Sequence, residues 1–253
     1  MTTPTPTRQE KLKAWAVHAF TLSGLVWLTF ALFALLDGNL RMMWLWLGIA
    51  MIVDGVDGSM ARAYRVREII PWFNGTVVDH VVDYLTWTAV PALFIALHLP
   101  VGPKPLGMLF VVIILVSSCF CYGNDLAKST DHYFVGFPAA WNVVAVLLWV
   151  WHAPMLVCIA AVLIFSVLTL VPLHYTHPFR VVKHRSRNIV LTFVWVITTG
   201  VLVYLTPDSA PTTITDPEVI TLIVVNIAAG AWLLLPGFLR TLHEHRKNAK
   251  QAA

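Results

Sequence analysis

Long apolar runs separated by short polar connections set the pattern of this chain. A run of about 17–25 apolar residues is long enough to cross the hydrocarbon core of a bilayer as a helix, and the sequence predicts eight: 14–36, 42–61, 75–98, 107–122, 139–152, 155–175, 188–206 and 218–239. Residues 139–175 are almost continuously apolar, yet at about 1.5 Å per residue one helix of that length would far exceed a single crossing. The break is expected at "WHAP", residues 151–154, where Pro154 removes a helical hydrogen bond. The fifth span is then short, and either starts earlier, near Phe134, or is partly re-entrant.

The expected fold is all-α, a polytopic integral membrane helical bundle of about eight transmembrane helices. One membrane domain fills 1–253, with a polar N-terminal segment at 1–13 and a C-terminal tail at 241–253, and no internal repeat or soluble domain. Composition agrees: 58% of residues are hydrophobic, only 12% are charged, and mean hydropathy is +0.74, which sets the chain against the bilayer rather than water as its solvent. The opening "MTTPTPTRQEKLK" resembles the n-region of a signal sequence, but the apolar segment after it is too long and lacks a small-residue cleavage site. The first span is therefore expected to be retained.

Charge adds orientation. With eight spans, one side collects Arg8, Lys11, Lys13, Arg62, Arg65, Arg67, Lys128, Arg180, Lys183, Arg185, Arg187, Arg240, Arg246, Lys247 and Lys250, and the other only Arg41 and Lys104. Cytoplasmic loops carry the excess of Lys and Arg, so both termini are expected in the cytoplasm. The connection 207–218 instead carries Asp208, Asp216 and Glu218. Cys119, Cys121 and Cys158 fall in apolar runs and read as buried thiols without metal or disulfide.

Against this background, "DGVDGSMARAYRVREIIPWFNGTVVDHVVD", residues 54–83, stands out. An ionised carboxylate in a membrane helix costs at least about 2.5–3.5 kcal/mol, and the two helical parts of this stretch hold four aspartates. If the second span continues helically, Asp54, Asp57, Gly58 and Ala61 share one face, while Gly75, Asp79 and Asp83 repeat at i, i+4 and i+8 on the third. The two spans are joined by a short connection, which makes them antiparallel neighbours whose acidic stripes meet near the cytoplasmic surface. Four converging carboxylates cannot all ionise without countercharge, and Arg62 alone cannot supply it. Hard divalent cations can: Mg²⁺ and Mn²⁺ prefer oxygen ligands and pair carboxylates with substrate phosphates, and two such ions form a clamp for displacement at phosphorus. Gly58, Ala61 and Gly75 leave room beside the carboxylates for a ligand or for close helix packing. Arg62 offers a forked contact to a pyrophosphate, or is an interfacial charge like Arg65 and Arg67.

The pattern Asp54-x-x-Asp57-Gly58-x-x-Ala61-Arg62, then Gly75-x-x-x-Asp79-x-x-x-Asp83, resembles the signature of the CDP-alcohol phosphotransferases, membrane enzymes that join a CDP-linked group to an alcohol and release CMP. All eight signature positions are present. Twelve residues separate Arg62 from Gly75, a longer spacer than in most members, and this resembles the bacterial phosphatidylcholine synthase branch, as does "YFVGFPAAWN" at 133–142. The resemblance implies that Asp54, Asp57, Asp79 and Asp83 hold Mn²⁺ or Mg²⁺ in a two-metal site. It further implies that Asp83 is the catalytic base and that Gly58, Ala61, Arg62 and Gly75 line the nucleotide site. The implied substrates are CDP-diacylglycerol and choline, and the implied setting is the bacterial inner membrane with the active site facing the cytoplasm. The implied partners are membrane lipids and no nucleic acid, with room for a homodimer.

Quaternary ammonium groups are recognised by aromatic faces. The candidates for choline are Tyr122, Tyr133, Phe134, Phe137, Trp141 and Tyr175, with Asn124, Asp125 and Asp131 beside them. Trp and Tyr also anchor helices at the interface, and with 11 Trp in the chain that role competes for each. In "HYTHPFRVVKHR", His174 and His177 make a weak zinc pattern, whereas Arg180 and Lys183 are candidates for a lipid phosphate. The competing functions are the same chemistry on serine, inositol phosphate or glycerol phosphate, and an ion or metabolite transporter. A transporter would place its acids near the midplane, often in repeated halves.

Overall fold

The computed structural model describes residues 6–208 and 216–252, with side chains described as far as Arg246. Residues 1–5, the greater part of the connection 207–218, and the side chains of Lys247 and Lys250 lie outside the described residues. Two compact units divide the chain, Met1–Val90 and Pro91–Ala253.

In the first unit, α1 (Arg8–Leu36) starts earlier than its apolar run. Thr7 and Glu10 form a capping box: Thr7 Oγ1 accepts from Glu10 N at 3.2 Å and the Glu10 carboxylate accepts from Thr7 N at 2.8 Å. Two of the donors that a helix start leaves unpaired are thereby satisfied. Much of the segment expected as a polar lead-in is consequently helical. A turn with Gly38 at φ +71° leads to α2 (Leu40–Ala63), where Asn39 caps the first turn by accepting from Met42 N at 3.2 Å.

The two helices pack along stripes spaced by three and four residues. On α1 these are Ala14, Val17, His18, Thr21, Gly24, Leu28, Ala31 and Leu35; on α2, Leu40, Met43, Trp44, Leu47, Ala50, Val53 and Asp57. The small residues among them let the backbones approach closely. A short α3 (Val66–Ile69) precedes α4 (Gly75–Asp83), which passes through a π-helical turn, Tyr84–Ala89, into α5 (Val90–His98). A Cβ placed on Gly75 would stand 2.7 Å from His18 Cε1, and one on Gly24 2.5 Å from Val82 Cγ1. The contacts rise together in both sequences, so α1 and α4 run parallel and α2 runs opposite to both.

The second unit holds α6 (Lys104–Gly123), α7 (Trp141–Val150), α8 (Met155–Leu168), α9 (Arg185–Leu205) and α10 (Pro217–Ala252). Two-residue strands β1 (Phe134–Val135) and β2 (His174–Tyr175) pair antiparallel, Phe134 opposite Tyr175. The sixth run was expected to stay helical to 175, but α8 ends at Leu168: Gly136, at φ +83°, abuts Thr169 O, and β1 holds the following residues extended. The break at 151–154 is present, with His152 at φ 49°. Trp151 N, His152 N and Ala153 N donate to Leu147 O, Trp149 O and Leu148 O at 3.0, 3.0 and 2.9 Å, and Pro154 O accepts from Val157 N and Cys158 N. At its other end the chain departs from expectation as well. The segment taken as a C-terminal tail continues α10, which runs through Pro236.

Among the described residues, five helices are long and apolar enough to cross a membrane: Arg8–Leu36, Gly75–His98, Lys104–Gly123, Arg185–Leu205 and Pro217–Arg246. The chain is thus all-α and a multi-pass membrane protein. The helix α2 is long enough but carries Arg41, Asp54, Asp57 and Arg62, while α7 and α8 are shorter apolar helices. Buried polar groups join α9 to α10, where Asn226 Nδ2 donates to Thr198 Oγ1, Thr199 Oγ1 and Trp195 O at 3.0, 2.8 and 3.2 Å. None of the three cysteines forms a disulfide, but only Cys158 is buried; Cys119 is exposed.

Candidate functional site

The buried stripe of α2 ends on Asp57, four residues after Val53, so the register that packs this helix also carries a carboxylate inward. Asp57 is 4% exposed. Asp54 lies one turn earlier and Asp79 comes from α4. Carboxylate oxygens of Asp54, Asp57 and Asp79 all lie within 4.8 Å of one another. Asp83, one turn beyond Asp79, is outside that group of three but is in hydrogen-bonding reach of Asp54 and faces Asp79 and Asp57. An all-oxygen donor set of this charge, in part withdrawn from water, fits a hard divalent cation.

The remaining signature residues divide. Gly58 is open, with only Arg62 Nη1 near a Cβ placed there, at 3.5 Å. Arg62 is exposed and its Nη2 donates to Ser59 Oγ at 3.1 Å. The room expected above Gly75 is instead filled by the His18 ring. Ala61 packs with Met60, Ile69 and Phe73 against a small core of Ala14, Val17, Val66 and Ile70. That core shows what the long spacer does: its α3 docks on α1 through Val66 and Ile70. Arg65, at φ 51°, starts α3 and donates from Nε to Glu68 Oε2 at 2.8 Å.

The residues expected to meet choline and lipid phosphate belong to the second unit. Trp141 is fully buried, its Nε1 donating to Ser118 Oγ at 3.0 Å and its ring packed edge-on to Phe137. Tyr133 is buried, its ring edge-on to His174, whereas Tyr122 and Tyr175 keep part of their surface and Asp125, Arg180 and Lys183 are exposed. Asp131 accepts from Arg240 Nε at 2.8 Å. The two histidines with zinc-like spacing part company. His174 Nδ1 is 3.1 Å from Thr241 Oγ1 and its Nε2 is 3.5 Å from Glu244, while His177 stacks on Phe134 at 5.2 Å between centroids.

His177 supports a pH test. Burial, then the charges of Arg180 and Lys128, push its imidazole down to about 4 from an ordinary 6.5. Between those values the unfolded chain binds more protons than the folded one, so stability rises with pH there. The contribution is complete above pH 6.5 and is lost as pH falls towards 4. The thermal midpoint of purified protein should drop across that window, and His177→Gln should flatten the drop; an unchanged slope would remove His177 from this role.

Sequence reasoning missed an aromatic cluster in the first unit. Trp15 lies 5.5 Å from His18, 5.3 Å from Phe73 and 5.6 Å from Trp72, centroid to centroid. The available signals were a lone histidine in an apolar run and the "PWFN" that ends the spacer.

An all-α, multi-pass chain with this carboxylate cluster is a membrane protein with a candidate divalent metal centre. No family model matches the chain. Individual relatives do. It is 49% identical to a phosphatidylcholine synthase of Pseudomonas aeruginosa over 201 residues, covering 79% of this chain and 84% of the relative. It is 36% identical over 183 residues to one of Mesorhizobium japonicum, covering 72% and 68%. The match to one of Rhizobium meliloti is longer, 31% identical over 229 residues and 90% and 91% of the two chains. The chain belongs to the bacterial phosphatidylcholine synthase branch of the CDP-alcohol phosphotransferases.

Proposed function

We propose that this protein transfers the phosphatidyl group of CDP-diacylglycerol to choline and releases CMP. The observation that carries the reading is the convergence of Asp54, Asp57 and Asp79 within 4.8 Å in a chain of this family. The choline hydroxyl oxygen attacks the phosphorus that bears diacylglycerol, the bond from that phosphorus to the CMP oxygen breaks, and the hydroxyl proton passes to Asp83. Transfers of this kind depend on positioning and charge stabilisation more than on covalent help from the protein. Asp54, Asp57 and Asp79, with Asp83 beside them, would hold Mn²⁺ or Mg²⁺, two ions when fully loaded. Bound there, such ions supply Lewis-acid neutralisation of the phosphate charge.

Gly58 and Arg62 present the open face to the nucleotide, Arg62 by a forked contact to phosphate, with Ala61 and Gly75 fixing the backbone around it. Choline is recognised by aromatic surface from Tyr122 and Tyr175, with Asp125 as its carboxylate neighbour and Tyr133 and Trp141 behind them. Arg180 and Lys183 guide the lipid phosphate.

The whole chain acts as one membrane domain in the bacterial inner membrane, as a monomer or homodimer, with both termini and the site cytoplasmic. The Lys and Arg distribution supports this orientation. Eight crossings follow if α7 and α8 each cross; as a re-entrant pair they would leave the later orientation unchanged.

The test is CMP release by purified protein in detergent–lipid micelles given CDP-diacylglycerol, Mn²⁺ or Mg²⁺, and one alcohol at a time. Metal-dependent CMP with choline and none with serine is expected. CMP with another alcohol alone would overturn the acceptor, and no CMP from any alcohol with folded protein would overturn the reaction.

A further inference from the structure

The spacer and the start of α1 line an open groove of about 290 Å³ whose walls include Lys11, Trp15, Glu68, Ile70, Pro71 and Trp72. Its two indoles come from different elements, stand 5.6 Å apart and are inclined at 55°, giving an open V of aromatic surface. They are held from behind. Trp15 rests on Phe73 and on His18, itself 5% exposed, and Trp72 rests edge-on to Phe73 at 5.9 Å. With Val66 and Ile70 fixing the spacer on Ala14 and Val17, the walls are set before any ligand arrives, which lowers the entropy cost of binding.

Trp72 nevertheless leaves 75% of its surface exposed. At the rim stand charges of opposite sign, Lys11 and Glu68. Both donors from Arg65 go to Oε2 of Glu68, which leaves Oε1 for another contact. Arg65 offsets much of the Glu68 charge, so the rim as a whole is of mixed sign and selects for neither a bare anion nor a bare cation. A ligand carrying both charges a few ångströms apart satisfies each. Aromatic faces beside a carboxylate suit a quaternary ammonium, and a lysine at the membrane surface suits a phosphate.

We propose that this groove binds the phosphocholine headgroup of a membrane lipid, its trimethylammonium across the mouth of the V formed by Trp15 and Trp72 near Glu68 and its phosphate at Lys11. The proposal concerns a second site and does not depend on the catalytic reading. A mere interfacial anchor, the common role of Trp in membrane proteins, would not discriminate among headgroups.

The experiment uses full-length protein in maltoside micelles without metal or CDP-diacylglycerol, so its result is independent of CMP release. Short-chain phosphatidylcholine is titrated and its N-methyl protons are followed by saturation-transfer NMR, with short-chain phosphatidylglycerol and choline chloride as parallel probes. Phosphatidylcholine should bind most tightly. Trp72→Ala should weaken it about fivefold and Trp72→Phe should recover most of that. Lys11→Gln should weaken the lipid without affecting choline. Equal binding of phosphatidylglycerol would reduce the groove to an anchor and overturn the proposal. So would free choline binding as tightly as the lipid and without regard to Lys11→Gln, or a folded Trp72→Ala protein binding as the parent does.

Discussion

Asp57→Asn should lower metal-dependent CMP formation on the order of 10³-fold, because the metal centre supplies several kcal/mol of transition-state stabilisation and each 1.36 kcal/mol is a factor of ten. Asp57 is the most buried of the three clustered carboxylates, and asparagine keeps its shape while removing its charge. Stability should move the other way. Taking one negative charge out of a crowded group relieves repulsion, so the thermal midpoint of metal-free protein should hold or rise. A residue that merely packed α2 would lose stability and activity together. Mn²⁺ titrations of CMP release and of the melting curve check both; a variant that keeps its metal-dependent rate would remove Asp57 from the centre.

Asp83→Asn should lower turnover at saturating metal by about 10²–10⁴-fold, the usual worth of a general base, while binding of CDP-diacylglycerol stays close to that of the parent. The distinction rests on position, since Asp83 stands beside the group of three rather than within it. Near-normal turnover would end its assignment as base. A rise in the metal requirement with turnover restored by excess metal would leave it a ligand alone.

The carboxylate cluster was legible because helical spacing alone aligns Asp54 with Asp57 and Asp79 with Asp83, and a short connection brings the two helices together. The break at 151–154 was legible for a similar reason: Pro154 is a local signal. What escaped depends on partners distant in sequence. Nothing within "YRVREIIPWFN" says that Val66 and Ile70 will meet Ala14 and Val17, or that His18 will take the space above Gly75. The early start of α1 is a different case, since Thr7 and Glu10 have capping-box spacing, but the polar composition around them reads as a tail. The π turn at Tyr84–Ala89 has no residue signature, because it is one extra residue accommodated by the packing on either side.

The backbone amides of the turn between α7 and α8 ask nothing of the solvent. At about 1.5 Å per residue the 10 residues of α7 and 14 of α8 each fall short of a hydrocarbon core about 30 Å thick. Their junction would therefore lie at a depth where bare backbone groups are costly. Trp151, His152 and Ala153 send their amide hydrogens back to the last turn of α7, Pro154 has none to satisfy, and Pro154 O is taken by the first turn of α8. With its amides closed in this way, the connection offers the bilayer no bare backbone donor at that depth.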